Sequence, residues 1–546
     1  MILPIINTPL QQPFDFCKSE IRDFLTTYSV RAFLLEIVKQ SWPAYLLASI
    51  LILVGFHWSL PSAYQDKSFQ ADENAAVWAV NQIHFPMFNP RWFPWGTGLF
   101  YQAYLLKLVF AGGGLVDVSD YWIILMGRLV VFASALGAIS VLFLLGRKLF
   151  DTRTGQLAAI IFAVLPGFVV NSHYFKTDVP MTVWMLVTLL TAYQLIETGS
   201  SRYVFVLGFL VGYTASVKYS GGLLLAVGLV AIAMTAHKFH ERLPWVRYLA
   251  CVVVGFAFGE PAVLLPRGWM AIIDGLRWVK MLNSRGLPYY VARPPAWIDY
   301  PLNVMPYSMT APILVAAIIA LVWVITKETR RFLPILTFLA AYYPLLSSDN
   351  WRLVRYTVPL LPIASLFVAA FVTHFNQSRL IRRVTIAAFS AMVGYAFFFS
   401  LSYVRVMAQV DPRIHATQWV EEHLPKDRPI PLVPAWDLDN VQLSKVGYSK
   451  TDVDFSVSKL KKVESPYLVM SEFGTSFYQQ AIDFYPEHKK FLDYVAQNYT
   501  EIVHFENSQT LFGINSKRGM KLPQDWLHPN PRITILVRRN HPHKVG

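Results

Sequence analysis

Apolar runs separated by short polar turns occupy most of the first 404 residues. They lie near 43–60, 122–146, 156–171, 179–197, 203–217, 220–236, 248–266, 308–326, 332–346, 354–373 and 384–404. Such runs read as membrane-crossing helices. A twelfth stretch, "GTGLFYQAYLLKLVFAGGG" at 96–114, decides the side of every later loop. If it stays uncrossed, the basic turns "GRKLFDTRTG", "ETGSSR", "HKFHERLPWVR", "TKETRR" and "HFNQSRLIRR" all fall on one side, as cytoplasmic loops do. The pattern therefore predicts eleven spans and a helix at 96–114 lying against the outer face. It puts the amino terminus in the cytoplasm and the carboxyl terminus outside.

The two flanks differ from this core. Within residues 1–42, "KSEIRDFLTTYSVRAFLLEIVK" sets Ile21, Phe24, Leu25, Tyr28, Leu35 and Val38 along one helical face, the signature of an interfacial amphipathic helix on the cytoplasmic side. From 405 to 546 the apolar runs shorten to strand length ("PIPLVPAW", "YLVMSE", "EIVHF", "ITILV") and alternate with helical stretches such as "RIHATQWVEEHL". The expected organisation is an N-terminal segment over 1–42, an all-α polytopic membrane domain over 43–404, and a small α/β extracytoplasmic domain over 405–546.

Composition agrees. The chain of 546 residues is 54% hydrophobic with a mean hydropathy of +0.39, too apolar for one soluble core. Its formal charge of +14 is explained by basic cytoplasmic loops, so nucleic acid is not implied as a partner. The two cysteines, Cys17 and Cys251, belong to different depths and make no disulfide framework. The first 42 residues lack the order of a signal peptide.

The candidate chemistry collects on the predicted outer face. The loop after the first span carries Asp72 and Glu73 in "SFQADENAAVWAV". "VNSHYFKTDVPM" carries His173, Lys176 and Asp178, "SVKYSGG" carries Lys218, and "SSDNWRLVRYTVP" carries Asp349, Arg352 and Arg355. Each residue has a plainer reading. Asp72 and Asp178 suit helix starts, Lys218 can snorkel, and the arginines can anchor to headgroups. Glu260 in "FGEPAVLL" reads as a satisfied structural group. Two acidic loops among several cations on one membrane face fit those readings poorly, because ionisable groups near hydrocarbon are costly. Glycosyl transfer from a lipid-linked sugar phosphate uses both signs. A carboxylate takes the acceptor proton, cations stabilise the leaving phosphate, and negative charge favours an oxocarbenium-like carbon.

These residues resemble the dolichyl-phosphate-mannose protein mannosyltransferase and aminoarabinose transferase superfamily, glycosyltransferases of the GT-C fold, over roughly 43–404. "ADENAAVW" is similar to the family's acidic motif in the first outer loop. "GRLVVFASALGAISVLFLLGRKLFDTRTGQLAAIIFAVLPG" is similar to its second and third spans, and "SHYFKTDVP" to its second outer motif. "SVKYSGG" and "RYTVPLLP" resemble later landmarks. The resemblance implies inverting transfer of a sugar from a polyprenyl-phosphate donor to an extracytoplasmic protein, lipid or glycan acceptor, in the plasma or inner membrane if the source is bacterial. It implies Asp72 as the base, Glu73 as its neighbour and Asp178 as the second acid. His173, Lys176, Lys218, Arg352, Arg355 and Tyr356 would contact donor phosphate or sugar. His173 departs from the arginine of many relatives, and Lys176 is the alternative source of that charge. The motifs require no divalent metal or other cofactor, although a metal is compatible with them. The Trp-Trp-Asp triplet of the related oligosaccharyltransferases is absent from residues 405–546. The alternative is a transporter or flippase of an anionic lipid or solute, against which stands the lack of matching halves.

Overall fold

The structure, a computed structural model, describes residues 30–112, 117–239, 244–375, 379–433, 440–517 and 522–541. The expected interfacial helix lies mostly outside them. From Val30 the chain is already helical and runs without a break to Leu53. Parts of the basic turns at 237–247 and 374–383, and of "PIPLVPAW", also fall outside.

Each of the eleven apolar runs is helical over most of its length, but not all are single helices. Asp120–Leu149 is a continuous helix of 30 residues with Arg147 and Lys148 in its last turn, where cations suit the helix dipole. The run 156–171 is instead two helices, Thr152–Val164 and Pro166–Asn171. Leu165 between them is extended, as the residue before a proline prefers. Asp178–Thr198 stops at Gly199, whose φ of +66° is cheap only for glycine. Among the described residues, five helical segments suffice by length and composition to cross a membrane, or six if the pair Ala296–Met309 and Ala311–Lys327, bent by 118°, counts as one. Of the other expected spans, 203–217 and 248–266 fall on the shorter helices Ser201–Val217 and Trp245–Gly259. A hydropathy run counts apolar residues, whereas crossing also depends on unbroken helix. Residues 98–110 of the twelfth stretch form a helix beside Asp120–Leu149.

Beyond Met407 the chain forms a five-stranded mixed sheet, from β1 (Ile430–Val433), β2 (Lys450–Asp452), β3 (Tyr467–Ser471), β4 (Tyr499–Phe505) and β7 (Ile533–Arg538), in the order β2-β1-β3-β7-β4. A separate two-stranded ribbon joins β5 (Thr510–Leu511) to β6 (Ile514–Asn515). β1 is parallel to β2 and β3, and β7 is antiparallel to β3 and β4. Helix Pro412–His423 covers one face through Ala416 and Val420, which join Ile533, Ile535 and Val537. Helix Pro486–Asn498 covers the other through Phe491 and Val495, which join Leu468. The four strand-length runs are strands as expected; β2, short and polar, has no such run.

This domain is joined to the membrane domain by more than its covalent link. Between β6 and β7 the chain enters the helical bundle, where Trp526 is buried against Tyr307, Phe399 and Tyr403. The Tyr403 hydroxyl donates to the Trp526 carbonyl at 3.1 Å.

Candidate active site

The two adjacent acids of the first loop do different work. Gln70 caps helix Ala71–Gln82 by accepting the Asp72 N–H, so Asp72 is not the cap itself. Glu73 is completely buried. Its Oε1 accepts from Arg128 Nε and the Phe175 N–H, both at 2.8 Å, and its Oε2 from Arg128 Nη2 and the Ser68 hydroxyl, both at 2.7 Å. Four donors fill the roughly four acceptor positions of a carboxylate. Glu73, which the resemblance groups with Asp72 in the catalytic acidic pair, is instead a fastener between the first loop, helix Asp120–Leu149 and the 172–177 loop.

Asp72 faces the other way and keeps 24% of its side chain exposed. Its Oδ2 pairs with Arg355 Nη1 and lies 3.1 Å from Lys176 Nζ. Burial pushes the Asp72 carboxyl up, but Arg355 and Lys176 together outweigh it and hold the group well below the ordinary carboxylate range. Lys176 is pushed down by burial and by Arg355, while Asp72 and Asp178 pull it back.

The second acid joins through an aromatic ring. Asp178 is the first residue of its helix and is buried, with Oδ1 2.5 Å from Lys218 Nζ. Lys218 Nζ stands 5.1 Å from the centre of the Tyr356 ring, and the Arg355 guanidinium 5.3 Å from it, both within cation–π range. Asp72, Lys176, Arg355, Tyr356, Lys218 and Asp178 therefore form one connected cluster drawn from four separate segments.

His173 and Arg352 stand differently from the expectation that they meet donor phosphate. His173 is buried, with Nδ1 2.8 Å from the Val169 carbonyl and Nε2 2.9 Å from that of Val54, which leaves no ring nitrogen for phosphate. Burial pushes it down to about 4 while the carbonyls draw it toward the charged form. Lys176 supplies the cation of this loop. Arg352 donates through Nη1 to Asp299 Oδ2 and to the Pro294 carbonyl, each at 2.9 Å, and Arg293 shares the same carboxylate oxygen at 3.5 Å. Its φ of +54° belongs to a tight turn in which Asp349 accepts the Trp351 and Arg352 N–H groups. Glu260 is buried and accepts both the N–H and the hydroxyl of Thr97, in keeping with a structural role.

Two residues near the cluster lie in "QDWLHPN" of the sheet domain. Asp525 accepts the Val354 N–H at 3.0 Å and the Arg355 N–H at 2.9 Å. His528 is buried with Nδ1 unpartnered and its ring lies tilted against Phe473, and its electrostatic neighbours include Lys176, Asp72, Arg413 and Arg355. Arg413, clamped by Asp411, donates to the His528 carbonyl at 2.7 Å. The available hint was a tryptophan and two ionisable groups within a short proline-flanked stretch, which fits no motif spacing. Arg128, partner of Glu73, was also missed because it reads as one more charge on a long span. Among the described residues, no group of three or more His, Cys, Asp or Glu side chains could hold a metal ion.

Residues 104–258 match the sequence profile of the family described as dolichyl-phosphate-mannose-protein mannosyltransferase. That stretch contains "SHYFKTDVP" with Lys176 and Asp178, and "SVKYSGG" with Lys218, so the family resemblance extends across both. No curated protein sequence matches the chain. Among solved structures, ArnT from Cupriavidus metallidurans bound to undecaprenyl phosphate is similar with 13% identity and a TM-score of 0.49, covering 93% of this chain and 98% of that one. The Archaeoglobus fulgidus oligosaccharyltransferase in complex with Zn and sulfate is similar with 13% identity and a TM-score of 0.42, covering 86% of this chain and 72% of that one.

Proposed function

We propose that this chain is a membrane glycosyltransferase that moves one sugar from a polyprenyl monophosphate to a hydroxyl or amine of an extracytoplasmic acceptor, with inversion at the sugar carbon. The observation that carries this reading is a partly open carboxylate, Asp72, engaged at once by Arg355 and Lys176 from two other segments.

In the resting site those cations neutralise Asp72 and make it a weak base. A lipid phosphate competes for the same cations, and Arg–phosphate pairing is strong. Once Arg355 and Lys176 turn to the phosphate, the depression of the Asp72 carboxyl is relieved, and it becomes a better acceptor for the nucleophile's proton. The acceptor oxygen or nitrogen then bonds to the sugar carbon, and the carbon–oxygen bond to phosphate breaks with its electron pair passing to the phosphate. The proton goes to Asp72, and polyprenyl phosphate leaves, held by Arg355 and Lys176. Asp178 and Lys218 extend the polar floor toward the sugar, and Tyr356 backs both cations. The site and the sheet domain would face away from the cytoplasm, with the sheet domain beside the acceptor.

The test is transfer of a radiolabelled sugar from a polyprenyl-phosphate donor by the purified protein in detergent, where no compartments exist. Label in the acceptor fraction is the expected result. Donor binding with no transfer to any acceptor in a crude membrane extract would contradict the enzyme and leave the transporter.

A further inference from the structure

The membrane domain alone does not fix Arg355. Its segment, the 3-10 helix Val354–Leu360, follows the turn that contains Arg352, and the first N–H groups of a helix find no partner inside it. Asp349 satisfies the N–H groups of Trp351 and Arg352. The next two in line after Leu353, those of Val354 and Arg355, are taken by the two carboxylate oxygens of Asp525, 170 residues further along the chain. Asp525 is itself held on both sides. Trp526 is clamped by Tyr403 and donates its indole N–H to the Ser516 carbonyl at 2.8 Å, while Leu527 packs with Leu353, Tyr289, Phe473 and Phe477.

We infer that Asp525 is a positioning residue for the donor phosphate: by holding the backbone of Val354 and Arg355, it aims the Arg355 guanidinium at the place the phosphate takes beside Asp72. This makes the sheet domain part of the reaction centre and not only its cover. The inference rests on the proposed function, since it needs Arg355 to receive a phosphate. Burial raises the Asp525 carboxyl, and the Arg355 and Val354 N–H groups and the charge of Arg355 oppose that rise.

Polyprenyl monophosphate binding to the full chain in detergent tests this, together with the donor KM and the kcat of transfer. Removing a negative charge beside a phosphate site would by itself tighten binding, so the direction of change separates positioning from simple electrostatics. Asp525→Asn keeps one acceptor oxygen and turns an NH2 toward the other N–H. The expected result is about tenfold weaker binding and an equal rise in donor KM, with acceptor KM and kcat within about twofold. Asp525→Glu retains the charge but displaces both oxygens by a methylene, and should weaken binding in the same way if Asp525→Asn fails to fold. Unchanged or tighter binding in Asp525→Asn, with only a lower Tm, would reduce Asp525 to a staple and overturn the inference. If the wild type binds no polyprenyl phosphate, the functional reading itself fails and takes the inference with it.

Discussion

Asp72 and Glu73 are neighbours in sequence, yet one is neutralised by cations it can exchange and the other by a cation it cannot leave. Breaking a buried pair by removing one partner strands a charge, at a cost of about 3–5 kcal/mol. Arg128→Met and Glu73→Gln should therefore lower Tm steeply or abolish expression, which detergent thermal melts would register. Asp72→Asn should lower Tm less, because Asp72 is partly open to water and its pairing is correspondingly screened. Arg355→Ala should raise the donor KM by about tenfold or more while leaving the acceptor KM nearly unchanged, since a charge-assisted phosphate contact is worth about 1.5–3 kcal/mol. At this scale the acids Asp72, Glu73 and Asp178 and the cations Lys176, Lys218 and Arg355 were legible as charges that lipid would penalise. Which acid was free was not, because that depends on Arg128 and the Phe175 N–H, contacts separated from Glu73 by 55 and 102 residues.

Among the elements, the loop 348–353 before the Arg355 helix is held by acids at both ends, Asp349 from within and Asp525 from outside. Burial raises the Asp349 carboxyl from 3.8 to about 6, against its hydrogen bonds from the Trp351 and Arg352 N–H groups. Between those values the folded chain keeps a proton that the unfolded chain has released. The stabilising contribution of the protonated group is therefore fully present below about 4 and is lost as pH rises through about 6. Asp349→Asn does not titrate, so melting both proteins across that range should show wild-type stability falling relative to the variant up to about pH 6 and a constant difference above it. A gap independent of pH would contradict this. Helix existence was legible from the apolar runs, whereas the break inside 156–171 was not read from them, although Pro166 stands at it. In the sheet domain Pro486 likewise opens helix Pro486–Asn498 after Glu472–Gln479 has ended.

For the whole molecule, the main departure from the sequence reading is the seating of the sheet domain. Its strands and covering helices follow the run lengths after residue 404, but the insertion of Trp526 between Tyr307, Phe399 and Tyr403 joins three distant segments and leaves no periodic trace. Arg413, Asp411 and the Trp58 indole strengthen the same seam, with Trp58 Nε1 3.1 Å from Asp411 Oδ2. The two domains should therefore unfold in one transition, and Trp526→Ala should separate them into two calorimetric steps, while a single step in that variant would argue that the remaining seam suffices.

The central claim is that Arg355 and Lys176 exchange Asp72 for the donor's phosphate and so release it as the base. The most direct measurement takes Asp72→Asn and follows polyprenyl monophosphate binding and sugar transfer on the same preparation. Removing the competing carboxylate should leave phosphate binding as tight as in wild type or tighter while transfer disappears. Lost binding, or full transfer, would contradict it.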